Sequence, residues 1–381
     1  MKTTTAPLPY WRLSGFYGFY FASLGILLPY WTLYLKSLTF DAKTIGILMA
    51  ILAATRIISP SLWGWLADHI GQRMLIVRWA SLVTFLIFLG VFVNQSVYWL
   101  GLVIFGFSFF WNASLPQVEA ITLHYLGDDS HRYGQIRLWG SIGFILSVIL
   151  LGQAITLYSI NVIPWVLGAC FFGIFAVSLS IKDSDRPHPH HSDRSLRQVL
   201  AQPAVIVLFI TAFLSQASHA PYYTFYSIYL ETHNYPATTI SYLWSIGVVA
   251  EISLFVIMHH LSRFFSVGQL LRLSLLLACL RWLLMGLFVD EFAVIYGIQL
   301  LHAGTFAIYH AAAMRFLQQH FAGQLQGQGQ ALYSSVSFGA GGAVGAFGSG
   351  YLWAIDPLLA FGVASGLGFI GYLLVLKWIH D

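Results

Sequence analysis

Apolar stretches long enough to cross a lipid bilayer recur along the whole of this 381-residue sequence. Each spans about 20 residues, which as an α-helix matches the roughly 30 Å of hydrocarbon in a membrane. Hydrophobic residues make up 58% of the chain and charged residues only 8%, whereas soluble domains carry roughly 25% charged residues. The stretches are continuous rather than alternating, which excludes a β-barrel. The sequence therefore predicts an all-α integral membrane protein.

Twelve such spans are predicted. The first is interpreted as a membrane helix and not as a cleaved signal, because its apolar stretch is too long and lacks a cleavage site of small residues. A polar connection after the sixth span divides the chain into a six-helix bundle at 1–181, a cytoplasmic linker at 182–202 and a second six-helix bundle at 203–381. The predicted spans are 11–35, 41–65, 74–93, 97–122, 135–157, 160–181, 203–230, 237–258, 268–288, 293–317, 328–353 and 358–379.

The linker holds two prolines and three histidines, His188, His190 and His191. Such a cluster either binds a metal ion or forms a solvated connection, and the solvated connection is the default. The two cysteines, Cys170 and Cys279, lie inside apolar spans and are expected to pack there as small hydrophobic residues. No disulfide framework and no metal site are expected.

Basic residues predict the orientation of the spans, because cytoplasmic loops of membrane proteins are enriched in lysine and arginine. We predict a multi-pass protein of the cell inner membrane with both termini in the cytoplasm. In this orientation, thirteen basic residues face the cytoplasm. Only Lys36 and Lys43 lie on the opposite side, and Arg56, Arg137 and Arg281 lie within spans. The thirteen are Lys2, Arg12, Arg73, Arg78, Arg132, Lys182, Arg186, Arg194, Arg197, Arg263, Arg272, Arg315 and Lys377.

Acidic residues are sorted in the same way, and only Glu119 and Glu251 of the fourteen lie within spans. A charge in the middle of a bilayer costs at least about 2.5–3.5 kcal/mol. The five charged residues within spans should therefore face a polar cavity or one another. The net charge of these five residues is +1, and an anionic solute could balance it.

The loop after the second span reads GWLADHIGQRM and has the pattern G-x-x-x-D-x-x-G-x-R, formed by Gly64, Asp68, Gly71 and Arg73. This pattern, at this place in a chain of two six-span halves, resembles the signature loop of the major facilitator superfamily. The resemblance implies a conformational latch that holds one state and is released in another. Asp68 would accept from a helix N-terminus or pair with a basic residue. His69 departs from the family pattern, which often has a basic residue there.

Glu119 lies near the cytoplasmic end of span four and Arg137 near the start of span five, so the two should lie at similar depth. They either pair, bind polar groups of a substrate, or extend to the lipid headgroups. The stretches VEAI and YGQIRLWGSIGF around them resemble the lactose permease family, in which these two positions bind sugar. In the second half, AEISLFVIM, LRWLLMG and LLHAGTF place Glu251, Arg281 and His302 at positions where this family has an essential carboxylate, an arginine and a histidine.

The departures limit this likeness. Gln299 and Thr305 stand where that family has a lysine and a carboxylate, and span seven offers His219, Tyr222 and Tyr223 in place of an acid. YGQIRLWGS, SYLWSIGVVAEI, LLHAGTF and AAMR resemble more closely the phenylpropionate permease branch, the 3-phenylpropionic acid transporters. That resemblance implies proton-coupled uptake of a small aromatic carboxylate.

Arg56 is not accounted for by the lactose permease likeness. It could bind a substrate carboxylate or close a gate, pair with Glu251, or donate to carbonyl groups freed by Pro60. Mid-span aromatic and amide residues could form a wall that binds an aromatic ring. For proton coupling, Glu251 is the first candidate, before Glu119 and His302. The predicted wall consists of Trp111, Asn112, Tyr222, Tyr223, Tyr226 and Trp244.

The sequence thus predicts a monomeric proton symporter that binds a small molecule, works by alternating access and needs no cofactor besides the proton gradient. The alternative is a proton symporter of a sugar or nucleoside. An exporter of drugs and a membrane sensor are the further rivals. No phosphate-binding G-x-x-x-x-G-K-[ST] motif occurs, so no nucleotide hydrolysis is expected, and neither an enzyme activity nor nucleic-acid binding is indicated.

Overall fold

The computed structural model describes residues 8–183, 196–321, 323 and 325–379, and the secondary structure of these residues is helical throughout. Six long helices precede the linker. A 3-10 turn, Gly127–Arg132, joins the fourth and fifth. The helices are α1 Tyr10–Ser37, α2 Ala42–Ile70, α3 Arg73–Phe92, α4 Val97–Leu126, α5 Tyr133–Leu157 and α6 Val162–Ser180.

Six long helices follow the linker, after a short helix at Leu196–Leu200. Two of them contain a stretch of wider π-helix. In the fourth of the six this stretch is Ala303–Ala307, and in the fifth it is Ser335–Gly341. The helices are α7 Pro203–Thr232, α8 Ala237–Phe264, α9 Val267–Leu287, α10 Phe292–His320, α11 Leu325–Ser334 continuing through Ser335–Gly341 to Gly342–Trp353, and α12 Pro357–Trp378.

Within the described residues, eleven helices are long and apolar enough to cross a membrane. The remaining long helix, α11, has eight glycines between residues 327 and 350, and glycine adds little hydropathy. The prediction of an all-α membrane protein is therefore confirmed. Several helices continue past the predicted spans, as α2 does to Ile70, because backbone hydrogen bonding does not stop where the hydrocarbon ends.

The helices form two compact units. The first comprises the described residues of Met1–Tyr34 and Ile58–His188, and the second those of Leu35–Ile57 and Pro189–Asp381. Helix α2 thus contributes its first half to the second unit and its second half to the first. The division at the linker remains a prediction, and its three histidines lie outside the described residues.

In the first unit, α3 packs against α4 and α6. Its interior is aromatic, with Trp31, Phe88, Phe107 and Phe171 fully buried. The ring of Phe88 meets those of Phe107 and Phe171 edge to face, at 5.5 and 5.1 Å. Helices α1 and α5 cross where Gly18 faces Gly143, and a side chain at residue 143 would collide with the Gly18 carbonyl. This close crossing fixes the position of α5 and of its arginine.

In the second unit, α12 packs against α7 and α9, α11 packs against α7, and α8 packs against α10. The small residues of α11 allow a close approach: a Cβ on Gly345 would lie 2.6 Å from the Cβ of Ala220. On another face of α11, Gly350 meets Gly46 of α2, where a Cβ on Gly46 would lie 2.7 Å from the Gly350 Cα. Backbone packing of this kind is typical of membrane helices, which gain no hydrophobic energy by leaving lipid.

Candidate functional site

Glu119 and Arg137 in the first unit are half-buried and held by different neighbours. The Glu119 carboxylate accepts a hydrogen bond of 3.2 Å from the Tyr133 hydroxyl. The Arg137 guanidinium lies over the ring of Phe21, 3.6 Å from its centroid. Gly140 makes this possible, since a Cβ there would lie 2.7 Å from the Phe21 ring and 2.8 Å from the Arg137 guanidinium.

The two charges interact electrostatically, but no ion pair within 4.0 Å joins them in the described residues. The paired arrangement considered from the sequence is therefore not formed in this structure. Within the described residues, the Arg137 guanidinium contacts the ring faces of Phe21 and Tyr17. Its N–H groups therefore remain available to a ligand.

Trp111 and Asn112 of α4 are buried, at 1% and 5% exposure. The Trp111 ring stacks on Tyr20 of α1, with centroids 4.7 Å apart and an interplanar angle of 11°. The Phe171 ring of α6 is a further neighbour, with its centroid 6.3 Å from that of Trp111. In this structure Trp111 thus contributes to the packing of α1, α4 and α6.

The predicted latch residues lie where α2, α3 and α4 meet. Arg73, the first residue of α3, forms an ion pair with Asp68 of α2 and donates to the amide oxygen of Gln117 on α4 at 2.7 Å. Gly71 has a φ of +72°, a left-handed conformation that favours glycine. A Cβ on Gly64 would lie 3.9 Å from the Gln117 amide, which is an ordinary contact. Arginine at residue 73 therefore ties three helices together.

Arg281 of α9 is the centre of a polar cluster in the second unit, and it is fully buried. Its Nη1 lies 3.0 Å from Nδ1 of His302 and 3.1 Å from the Thr305 hydroxyl. Its Nη2 donates to the Gln299 amide oxygen at 3.5 Å. The guanidinium also lies over the ring of Tyr222, 4.4 Å from the centroid. These neighbours compensate a buried positive charge with oriented dipoles and an aromatic face.

Glu251 of α8 is joined to this cluster through His302. The Nε2 atom of His302 lies 3.5 Å from a carboxylate oxygen of Glu251, and the two side chains are 7% and 21% exposed. The structure therefore brings the three predicted proton-coupling residues together in the order carboxylate, imidazole and guanidinium.

Two tyrosines of α7 complete the cluster through Gln299. The Tyr222 hydroxyl donates to the Gln299 amide oxygen at 3.1 Å, and the amide nitrogen donates to the Tyr226 hydroxyl at 2.7 Å. The Trp244 ring of α8 lies 4.6 Å from the Tyr222 ring, and its indole N–H donates to Ser227 at 2.9 Å. Tyr222 therefore contacts the buried arginine directly, and Trp244 packs against Tyr222.

Tyr223 and Arg56 lie at the edge of this cluster. Both are half-buried, and Tyr223 lies within electrostatic range of Glu251, Arg281 and Arg56. The backbone at Arg56 and Ile57 is held by α11, because the Ser335 hydroxyl donates to the Ile57 carbonyl at 2.6 Å. Arg56 is thus placed by the π-helical stretch of α11.

Sequence reasoning did not assign a role to Gln117, Tyr133, Gln299 or Thr305. Each is a polar residue within a helix and bonds directly to a charged residue of the candidate sites. The signal that could have found Gln299 and Thr305 is that both replace charged residues in the lactose permease likeness.

Comparison with known proteins places this architecture in one family. The family described as "MFS_1 like family" matches residues 10–363. The probable 3-phenylpropionic acid transporter of Escherichia coli (strain K12) is 29% identical over 350 residues, which cover 90% of each chain. The maltose permease of Geobacillus stearothermophilus is 23% identical over 95% of this chain and 93% of its own.

Solved structures agree on the fold. A variant of the nucleoside transporter NupG superposes with a TM-score of 0.87 at 16% identity, covering 97% of this chain and 100% of its own. The peptide transporter POT in complex with sulfate has a TM-score of 0.77 at 14% identity, over 99% of this chain and 95% of its own. These relatives are transporters and not enzymes. The chain therefore belongs to the MFS_1 like family and is a multi-pass membrane transporter of the major facilitator type.

Proposed function

We propose that this transporter imports a small aromatic carboxylate, such as 3-phenylpropionate, together with protons across a bacterial inner membrane. The observation that carries the proposal is the buried series Glu251, His302 and Arg281, a carboxylate linked through an imidazole to a guanidinium. A carboxylate at this depth can take up and release a proton as its surroundings change. The identity of 29% with the probable 3-phenylpropionic acid transporter supports the choice of substrate.

An anionic substrate is favoured by the surplus of one positive charge among the five charged residues of the spans. Arg137 is the group proposed to bind its carboxylate, because its guanidinium rests on an aromatic face with its N–H groups available. A guanidinium binds a carboxylate through two parallel hydrogen bonds. Arg56, Trp111, Asn112, Tyr222, Tyr223 and Trp244 stay candidates for the remaining contacts.

In the proposed cycle, substrate and proton bind from outside, the two halves of the chain move relative to a central site, and both are released inside. The proton gradient is the energy source, and no further cofactor is required. Both termini lie in the cytoplasm, and the monomer is the working unit. Asp68 and Arg73 hold one conformation through their ion pair and release it in the other.

Uptake into proteoliposomes tests the proposal. With an acidic outside, radiolabelled 3-phenylpropionate should accumulate above its equilibrium level, and a protonophore should abolish the accumulation. Unlabelled aromatic carboxylates should compete, whereas galactosides and nucleosides should not.

The alternative is a proton symporter of a sugar or nucleoside. The likeness to a maltose permease and the pair of residues Glu119 and Arg137 favour it. Competition by a galactoside or nucleoside, with none by 3-phenylpropionate, would establish this alternative and exclude the aromatic acid.

A further inference from the structure

Both ring nitrogens of His302 are engaged, and one partner decides which of them carries the proton. Nδ1 lies 3.0 Å from Nη1 of Arg281. A guanidinium has only N–H donors, so Nδ1 must accept this hydrogen bond and cannot itself carry a proton. The neutral imidazole then carries its proton on Nε2, which lies 3.5 Å from the Glu251 carboxylate. His302 therefore presents a donor to Glu251.

Arg281 is held too firmly to move away from Nδ1 at little cost. Its guanidinium also donates to Thr305 and Gln299 and lies over the ring of Tyr222. The Gln299 amide is itself oriented by Tyr222 and Tyr226. Displacing Arg281 would leave several fully buried polar groups without partners, and a buried polar group without a hydrogen-bond partner destabilises the fold.

The groups around His302 come from each helix that packs against it. Arg281 approaches from α9 and Glu251 from α8. From α7, the Tyr222 ring lies 5.9 Å away, and His219 is within electrostatic range and contacts Thr305 at 3.4 Å. The Nδ1 of His219 lies 2.7 Å from the Ser215 carbonyl and donates to it.

More distant groups act on the same cluster. Tyr226 is linked to it through Gln299, and Tyr223 and Arg56 lie at its edge, where Tyr223 is within electrostatic range of Glu251. A proton added at Nδ1 of His302 would displace the arginine N–H and place two cations side by side.

From this geometry we propose that His302 remains neutral during transport, as the Nε2–H tautomer set by Arg281, and positions Glu251, which alone takes up and releases the proton. The proposal rests on proton coupling in the proposed function. The proton moves from outside water to a carboxylate oxygen of Glu251, which loses its charge and with it the electrostatic attraction to the Nε2–H of His302, 3.5 Å away. On release to the inside, the carboxylate recovers its charge and its contact with Nε2. His302 is thus a positioning residue, and Arg281 sets its tautomer.

Nuclear magnetic resonance of purified protein labelled with ¹⁵N-histidine tests the tautomer directly. The His302 signals are assigned by their loss in His302→Gln. We expect a protonated Nε2 and an unprotonated Nδ1 over about pH 5 to 8, the range in which a free histidine titrates. An Nδ1–H signal, or a change to the doubly protonated form in this range, would overturn the proposal. Because no substrate is needed, this result is independent of which solute is carried.

Uptake by two variants tests the positioning role. A glutamine side chain at residue 302 cannot be protonated in this pH range, but its amide nitrogen reaches the position of Nε2 of His302. The shorter asparagine side chain ends near the position of Nδ1. His302→Gln should transport severalfold more slowly and retain both accumulation driven by pH and the midpoint of the wild-type pH profile. His302→Asn should shift that midpoint, because Glu251 loses its donor.

If His302→Gln still exchanges substrate but no longer accumulates it, His302 itself carries the proton and the proposal fails. If the wild-type protein shows no proton-driven accumulation of any tested solute, the proposed function fails, and the tautomer is then decided by the spectrum alone.

Discussion

Gln299 of α10 accepts a hydrogen bond from Arg281 of α9 while both side chains are fully buried. The same amide oxygen accepts from Tyr222, and the amide nitrogen donates to Tyr226 and to the Ile295 carbonyl. Gln299 thus uses its whole hydrogen-bonding capacity. Gln299 stands where the lactose permease likeness has a lysine. As a neutral amide, it holds the buried arginine in place without adding a second ion.

Replacing Gln299 by leucine should therefore destabilise the folded protein. Tyr222, Tyr226 and Arg281 would each lose a buried partner, at about 1–3 kcal/mol for each group. The melting temperature of the purified protein should fall by several degrees in a thermal-shift assay. Gln318→Leu, at an exposed position near the end of α10, is the matched control and should melt like the wild type. Equal melting of both variants would contradict the structural role of Gln299.

Replacing Glu251 by glutamine should uncouple transport from the proton gradient, because the amide cannot take up the proton. We expect loss of accumulation in proteoliposomes under an imposed pH gradient, while exchange of internal for external substrate continues. Glu291→Gln changes an exposed acid before α10 and serves as the control for expression and charge. Concentrative uptake by Glu251→Gln would move the coupling role to another residue.

Replacing Arg137 by alanine should weaken substrate binding. Loss of hydrogen bonds to a charged group costs about 1.5–3 kcal/mol, which corresponds to a rise in Kd of roughly tenfold or more. Titration of the purified protein with 3-phenylpropionate measures this change, and Arg263→Ala at an exposed end of α8 is the control. An unaltered Kd in a folded variant would remove Arg137 from the binding site.

Replacing Arg73 by alanine should slow the conformational change more than it weakens binding. The variant breaks the ion pair with Asp68 and leaves the buried Gln117 amide without its partner. We expect the maximal uptake rate to fall while the Kd measured in detergent stays within about a factor of two. Arg12→Ala is a suitable control, because Arg12 also lies at a helix start of the first unit and donates to the Ser180 carbonyl. A fall in affinity at an unchanged rate would assign Arg73 to substrate binding.

The start of α2 should lose stability in acid. The Asp41 carboxylate accepts from the Thr44 side chain and backbone N–H, the latter at 2.9 Å, and these hydrogen bonds hold its pKa below the ordinary value. A lowered pKa in the folded state means that this stabilisation is complete above the unfolded value of about 3.9 and is lost as the pH falls through the folded value.

Hydrogen exchange of the first turn of α2 measures this effect. Asp41→Ala should speed exchange at neutral pH by an amount equivalent to about 0.5–2 kcal/mol, the usual contribution of a helix N-cap. The same variant should exchange like the wild type once the pH lies below the folded pKa. Equal exchange at neutral pH would show that the cap does not stabilise the helix start.

The class of protein, its long helices and the set of charged residues at membrane depth could be predicted from the sequence. Lipid imposes these features locally: each span must be apolar over about 20 residues, and a buried charge is too costly to occur by chance. The convergence of Glu251, Arg281 and His302 was also predicted, through family resemblance. Local sequence patterns by themselves do not predict that side chains from three different helices will be in contact.

Only the tertiary structure decided the partners of those charges. Glu119 and Arg137 could form a pair by their spacing, yet Tyr133 holds one and the Phe21 ring holds the other. Which side chains meet depends on the rotation and separation of the helices. These are set by distant contacts, such as the crossing of Gly18 and Gly143. Composition and spacing specify which residues must be shielded from lipid, whereas packing between helices determines what shields them.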